Sequence, residues 1–324
     1  MNSPFIYDVA VIGAGAAGMQ ATLRAVLNND ATLLFTGDAR SRKRSREFWV
    51  RKVENMPGLF HHKRAIVDTN LEVLQWIEQS ALKHKLTLKK NKTVTHIEKS
   101  QELFILTDGA GEKYCARFVI LCTGVMDVQP KILGSIAPVL PYANMQIVDY
   151  CLRCDGHHVL GKNTAVIGND SSAVWVAIML HERYQPPSMT VLFHGARVEL
   201  NHELKQLVEK YNIIINHEEI IDLIGDAKAS QLNMIKTITQ SFECEIAFVA
   251  LGMIVYNELA QLLGANLDAR GFVIADENGM STVDGLYVAG DVRANTKKQI
   301  YTAWDNATTA ADAINARLRK MKRG

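Results

Sequence analysis

"DVAVIGAGAAGMQATL", residues 8–23, decides the fold. A short apolar run enters a glycine turn and leaves it as an apolar helix, and Gly13, Gly15 and Gly18 complete a G-x-G-x-x-G. Gly13 permits the tight turn, Gly15 lets a pyrophosphate approach the backbone, and Gly18 lets the helix pack on the strand. The spacing predicts a strand over 8–12 and a helix over 17–27. The first turn, with Ala16 and Ala17, then presents N–H groups and a positive dipole end to phosphates. A second apolar run, "ATLLFTG", leads to Asp38, 20 residues beyond Gly18, about where an acid meets ribose hydroxyls.

The opening recurs. "NTAVIGNDSSAVWVAI", residues 163–178, aligns with 8–23 without a gap, offset by 155 residues. Its first glycine is Gly168, but Asp170 stands where the second belongs. A side chain there crowds the pyrophosphate and its charge opposes it. Asp170, Ser171 and Ser172 are instead good acceptors for the free N–H groups of the following helix.

Around these two units the chain reads as alternating strands and helices. "DTNLEVLQWIEQSALKHK" (68–85) is a predicted helix, and "LTLKKNKTVTHIEK" and "LFILTDGAGEKYCARFVILCTG" are strand-like. "FVILCTG" (118–124) and "IAFVALG" (246–252) are buried strands closing on glycine turns, as is "GLYVAGDV" (285–292), before a helix from about Lys298 to Leu318. The 324 residues suffice for one large or two medium cores, and 22% charged residues with a net charge of +2 is an ordinary globular balance. That charge argues neither for nor against nucleic acid, and no nucleic-acid motif is present. No apolar run approaches the roughly 18–20 residues needed to cross a bilayer, and five cysteines with one close pair are no secreted disulfide framework. A cytoplasmic, non-membrane enzyme is the expectation.

The close pair is Cys151 and Cys154 in "CLRCDG". A C-x-x-C lowers thiol pKa near a helix start or a positive group, and the thiolate is the reactive species. A zinc site is the competing reading, because His157 and His158 follow. Four ligands within eight residues leave little loop between the pairs, unlike ordinary zinc folds, so redox chemistry is favoured and no metal is expected. Cys122 reads as a small core residue.

In their order, Gly13–Gly18, "VENMPG" (53–58), "CTG" (122–124), "CLRCDG" (151–156) and "VDGLYVAGDV" (283–292) resemble the low-molecular-weight thioredoxin reductase family over essentially the whole chain. The resemblance implies an α/β fold of two Rossmann-like, doubly wound, three-layer nucleotide-binding domains. An FAD domain spans 1–118 and 253–324, and a pyridine-nucleotide-like insert with the C-x-x-C spans 119–252. It implies FAD contacts from Gly13, Gly15, Ala16, Ala17, Gly18, Asp38, Asn55, Thr123, Gly124, Gly290 and Asp291, with Gln299 and Ile300 opening the helix aimed at the flavin. It assigns Cys154 to face the flavin, Cys151 to attack the partner disulfide, and Asp155 to handle protons. A thioredoxin-like disulfide substrate and a homodimer are implied as well.

Three departures bear on the electron source. Asp170 is the first. In "VLFHGARVEL" (191–200), His194 is followed by Gly195 and Ala196 where NADPH-using relatives carry an arginine pair, and only Arg197 remains. NADPH and NADH are therefore not expected to drive the protein, and Asp170→Gly with Gly195→Arg and Ala196→Arg is expected to restore NADPH use. Third, "ARSRKRSREFWVRK" (39–52) replaces a flavin-contacting segment with Arg40, Arg42, Lys43, Arg44, Arg46, Arg51 and Lys52 around Phe48 and Trp49. It reads equally as a solvated loop or as a docking surface for an acidic electron donor, such as ferredoxin. The alternatives are a flavin dithiol oxidase using oxygen, a second nucleotide such as another FAD at 168–173, and a redox sensor without turnover.

Overall fold

From Val9 to Ile12 every side chain is buried, as a strand interior to a parallel sheet requires. The computed structural model describes residues 5–38, 46 and 50–324. The chain divides into two units, one of 1–47, 66–126 and 255–324, the other of 48–65 and 127–254.

In the first unit, Ile6–Ile12 lies parallel between Thr32–Phe35 and Lys113–Leu121. Leu86–Lys89 adds a further parallel strand beside Thr32–Phe35. Lys113–Leu121 is long enough to be shared. Its first half pairs antiparallel with Leu103–Asp108, which pairs in turn with Val94–Ser100. Its last three residues pair parallel with Leu286–Val288. Strand alternation sets the layers: Val9 and Val11 join the buried cluster of helices Ala16–Leu27 and Ile300–Arg323. Ala10 and Ile12 join the opposite cluster with Phe104, Leu106 and Val288. Ala17, Ala21 and Ala25 share their cluster with Ala303, Ala307 and Ala310, small residues that let two helices approach closely. Arg24 donates to Asp312 at 2.6 Å and Gln20 to Thr308 at 3.0 Å from one helix to the other.

The second unit repeats the plan. Its parallel sheet runs in the order Ile214–Asn216, Met189–Leu192, Thr164–Gly168, Ile246–Ala250, Val148–Asp149. Helix Ser172–Tyr184 follows Thr164–Gly168, and a three-stranded antiparallel sheet (Ile220–Asp226, Gln231–Thr237, Ser241–Glu243) completes the unit. Gly124 and Gly252 end the equivalent strands with φ of +70° and +84°. This is the expected mixed α/β fold built on two Rossmann-like units. No helix among the described residues is long and apolar enough to cross a membrane.

Local boundaries differ from the sequence reading. The helix expected over 68–85 is Ala65–Gln79, because the Ser80 hydroxyl donates back to the Ile77 carbonyl and accepts from the Leu82 N–H. "LTLKKNKTVTHIEK" is two strands separated by a turn with Asn91 at φ +57°. The final helix continues past Leu318 to Arg323.

One buried carboxylate leaves a pH signature. Asp30 is 2% exposed and accepts from the Asn315 amide at 3.0 Å. Desolvation pushes its pKa up to about 6, against a smaller lowering by Asn315. The native state therefore holds this proton over a range where the unfolded chain has released it. Stability should fall as pH rises from about 4 to about 6 and stay reduced above that. Asp30→Asn keeps an acceptor for Asn315 and should remove the slope, raising stability at pH 7.5 by about 1–2 kcal/mol after allowing for solvent screening. Urea melts of both proteins at pH 4.5 and 7.5 check this; parallel pH dependence would reject it.

Candidate active site

The first glycine turn is held by backbone contacts. Gly13 has φ +106°, and a Cβ there would meet the Cys122 carbonyl oxygen at 2.4 Å. A Cβ at Gly18 would lie 1.8 Å from the Gly13 carbonyl oxygen. Gly15 is the N-cap of Ala16–Leu27, with no side chain to cap the helix and no acid in its first turn. Its N-terminal N–H groups thus keep their positive field for an external anion. Gly290, at φ +78°, packs so closely that a Cβ would lie 2.7 Å from the Ala17 Cβ, which brings "AGDV" against the same helix end. Asn70 donates to the Ala14 carbonyl at 3.0 Å, and Thr123 Oγ1 donates to the Tyr256 carbonyl at 2.6 Å. The Asp38 backbone N–H donates to the Thr93 hydroxyl at 2.8 Å. Asp291 faces Arg46 at 3.3 Å, and Gln299 is the buried N-cap of Ile300–Arg323. An uncapped helix end, side-chain-free turns and a guanidinium beside the acid fit the pyrophosphate of FAD. Asn70 escaped the sequence reading, because a lone asparagine within a helix carries no motif.

Of the expected site residues, Asn55, Cys151, Cys154 and Asp155 fall in the second unit and the others in the first. Cys151 and Cys154 form a disulfide with Cα atoms 5.2 Å apart. Cys151 is the N-cap of the single turn Leu152–Asp155, and its Sγ accepts from the Cys154 N–H at 3.2 Å. Asp155 is buried directly after. The histidines that suggested zinc with these cysteines point elsewhere: both Nε2 atoms lie 2.9 Å from Glu54 Oε2, and His158 Nδ1 lies 2.8 Å from Asp149 Oδ2. His158 is raised well above an ordinary imidazole, chiefly by the Asp149 hydrogen bond and then by that of Glu54. Burial pushes the Asp149 carboxyl up, and His158 only partly offsets it, so the two titrate as a unit.

Asp170 Oδ1 accepts from the Ser172 N–H at 2.7 Å, so its carboxylate sits at the helix N-terminus. Asp170 supplies the side-chain acceptor, and the N-cap residue Ser171 makes no side-chain cap bond. Gly168 is still required, because a Cβ would lie 2.3 Å from the Ala173 Cβ. His194 is a structural residue here: Nδ1 accepts from the Ile220 N–H, so Nε2 carries the proton and donates to the Lys131 carbonyl at 2.9 Å. Gly195 has φ +86° and lies beside Glu219, whose Cβ would be 4.0 Å from a Cβ at 195. This corrects the expected rescue, because Gly195→Arg forces a long side chain into left-handed backbone next to an acid.

In the basic segment, Arg40, Arg42, Lys43, Arg44, Phe48 and Trp49 lie outside the described residues. Arg46 faces Asp291, and Arg51 is exposed with a guanidinium N–H 3.3 Å from the Met145 sulfur.

A family profile described as pyridine nucleotide-disulphide oxidoreductase matches residues 7–311. The thioredoxin reductase of Treponema pallidum is 28% identical over 311 residues, covering 95% of each chain. That of Mycoplasma genitalium is 29% identical over 315 residues, covering 94% of this chain and 93% of its own. Among solved structures, thioredoxin reductase from Streptococcus pyogenes is similar with a TM-score of 0.81 at 21% identity, covering 98% of this chain and 100% of that one. That from Giardia duodenalis has a TM-score of 0.78 at 20% identity, with 97% and 99% covered.

Two glycines of the cradle should respond differently to the same change. Gly124 is left-handed in open space, so Gly124→Ala carries only backbone strain of about 1–2 kcal/mol. Gly290→Ala adds a clash with Ala17, for a total of about 2–4 kcal/mol, and should also lower the flavin retained on purification. Urea midpoints and the bound-flavin absorbance measure both. Equal losses from the two variants would mean that the Ala17 contact yields without cost.

Proposed function

The chain belongs to the pyridine nucleotide-disulphide oxidoreductase family, and on that premise we propose that it reduces a partner disulfide with electrons from an acidic redox protein rather than from NADPH or NADH. It is an FAD-dependent, thioredoxin-reductase-like oxidoreductase with a Cys151–Cys154 pair. FAD, when bound, supplies the two-electron carrier. The protein's own sulfurs supply the exchange. In the dithiol state the Cys151 thiolate attacks one sulfur of the partner disulfide, and the other partner sulfur leaves as a thiolate that takes a proton. Cys154, deprotonated, then attacks Cys151 Sγ, reforming the intramolecular disulfide and releasing the second partner thiol. Two electrons pass to the partner in all. Asp155, buried beside Cys154, is the group proposed to take up and return the proton.

The observation that carries the choice of donor is the 2.7 Å bond from the Ser172 N–H to the Asp170 carboxylate. A nicotinamide dinucleotide would bring its pyrophosphate to that helix end and meet a fixed negative charge. Glu219 beside Gly195 opposes a 2′-phosphate in the same sense, and the missing arginine clamp removes its bidentate partner. Each loss is worth about 1–3 kcal/mol, so two take a micromolar affinity toward the millimolar range. The same charge argument stands against a second FAD at 168–173, which also carries a pyrophosphate.

Anaerobic reduction of the bound flavin by NADPH, NADH and reduced ferredoxin, side by side, tests the reading. Ferredoxin should reduce it within seconds while micromolar nicotinamides leave it oxidised. Rapid stoichiometric bleaching by micromolar NADPH would end the proposal. Because arginine at 195 is strained, the double change Asp170→Gly with Ala196→Arg is the one expected to gain measurable NADPH-linked reduction.

The donor's docking site is proposed at 40–52, on the density of positive charge in that sequence. Replacing Arg42, Lys43 and Arg44 with Glu should slow reduction by the acidic protein and flatten its dependence on ionic strength. Donor kinetics that stay the same across salt concentrations would return the segment to an ordinary solvated loop.

A further inference from the structure

We propose that Glu54, His157 and His158 form a binding site for a borderline divalent transition ion, Zn2+ foremost, independent of the two cysteines. The turn Gly156–Val159 carries the two imidazoles with ring centroids 4.5 Å apart. Both Nε2 atoms converge on one oxygen, Glu54 Oε2, at 2.9 Å, and the three ligand atoms all lie within 4.8 Å of one another. A tetrahedral zinc with bonds of about 2.0–2.1 Å holds its donors about 3.3–3.4 Å apart. The two nitrogen–oxygen separations need to open by only about 0.4 Å on that measure. Glu54 and His157 have the freedom to do so, with side chains 37% and 43% exposed, and that exposure is also the route of entry.

His158 is the anchored member. Its Nδ1 is held at 2.8 Å by Asp149, whose side chain is 4% exposed on the parallel strand Val148–Asp149. A carboxylate behind an imidazole fixes both ring orientation and tautomer, leaving Nε2 as the outward ligand atom, and this is how metal-bound histidines are generally supported. Two imidazoles and one carboxylate are the donor set of three-ligand zinc sites that keep a fourth position open. A single carboxylate serves Ca2+ and Mg2+ poorly, since they want many oxygens. The disulfide withholds Cys151 and Cys154 in the oxidised chain. This differs from the zinc arrangement weighed on sequence alone, because the third ligand comes from residue 54 and not from sulfur.

Zinc chloride titrated into the oxidised, full-length protein against a chromophoric zinc indicator provides the test. One Zn2+ per chain should bind, with Glu54→Gln and His157→Ala each weakening it at least tenfold. Asp149→Asn, which touches only the supporting ring nitrogen, should weaken it about 10- to 100-fold without changing the stoichiometry. A Cys151→Ser/Cys154→Ser variant should bind as the parent does, and circular dichroism confirms that each variant is folded. Absence of stoichiometric binding at micromolar zinc overturns the proposal. So does binding that survives both Glu54→Gln and His157→Ala, or that is lost with the cysteines.

Discussion

At Gly18 the helix Ala16–Leu27 comes so near its own turn that a Cβ would stand 1.8 Å from the Gly13 carbonyl oxygen. That backbone contact sets the height of the helix above the sheet. Once it is there, Ala17, Ala21 and Ala25 present a smooth face that the alanines of Ile300–Arg323 can meet. Ala17 in turn leaves room at residue 290 for glycine alone. The C-terminal strand and helix are thus brought to the N-terminal turn by a chain of small residues, and Asp291 and Gln299 arrive with them. Packing density of this kind tolerates little added volume.

The same strand–turn–helix occurs twice with opposite electrostatic outcomes. In the first copy the cap residue is a glycine and the helix end remains positive. In the second, Asp170 neutralises that end through the Ser172 N–H. Topology is the same in both, with the glycine-turn strand between its two parallel neighbours. The charge at the helix mouth is therefore set by one residue, while the fold around it is held by close contacts such as Gly168 with Ala173.

The sequence made the two-unit fold legible because glycine positions and buried apolar strands are short-range signals. The strand Ile6–Ile12, the helix after it and the pairing of its counterpart Thr164–Gly168 follow directly from them. The C-x-x-C was legible for the same reason. Contacts between residues distant in sequence were not. Asn70 on Ala14, Arg46 on Asp291, and Glu54 on His157 and His158 each join segments with no local pattern to announce them. The left-handed φ of Gly195 was also invisible, since glycine is ordinary at a strand end until the backbone is seen.

Burial separates the redox pair from Cys122 and Cys244. Cys122 is enclosed and its pKa driven upward by desolvation alone, so its thiolate is unavailable near neutrality. Cys244 is pushed up to about 12 by burial, which outweighs the lowering by backbone hydrogen bonds with Ala165 and Ile246. Cys151 has the opposite surroundings: it is partly exposed at the start of a helical turn, and the Cys154 N–H points at its sulfur. A backbone donor aimed at sulfur favours the charged form. Reactivity thus follows from where the chain leaves each sulfur: Cys122 and Cys244 are enclosed in the core, while Cys151 stands at an accessible helical turn.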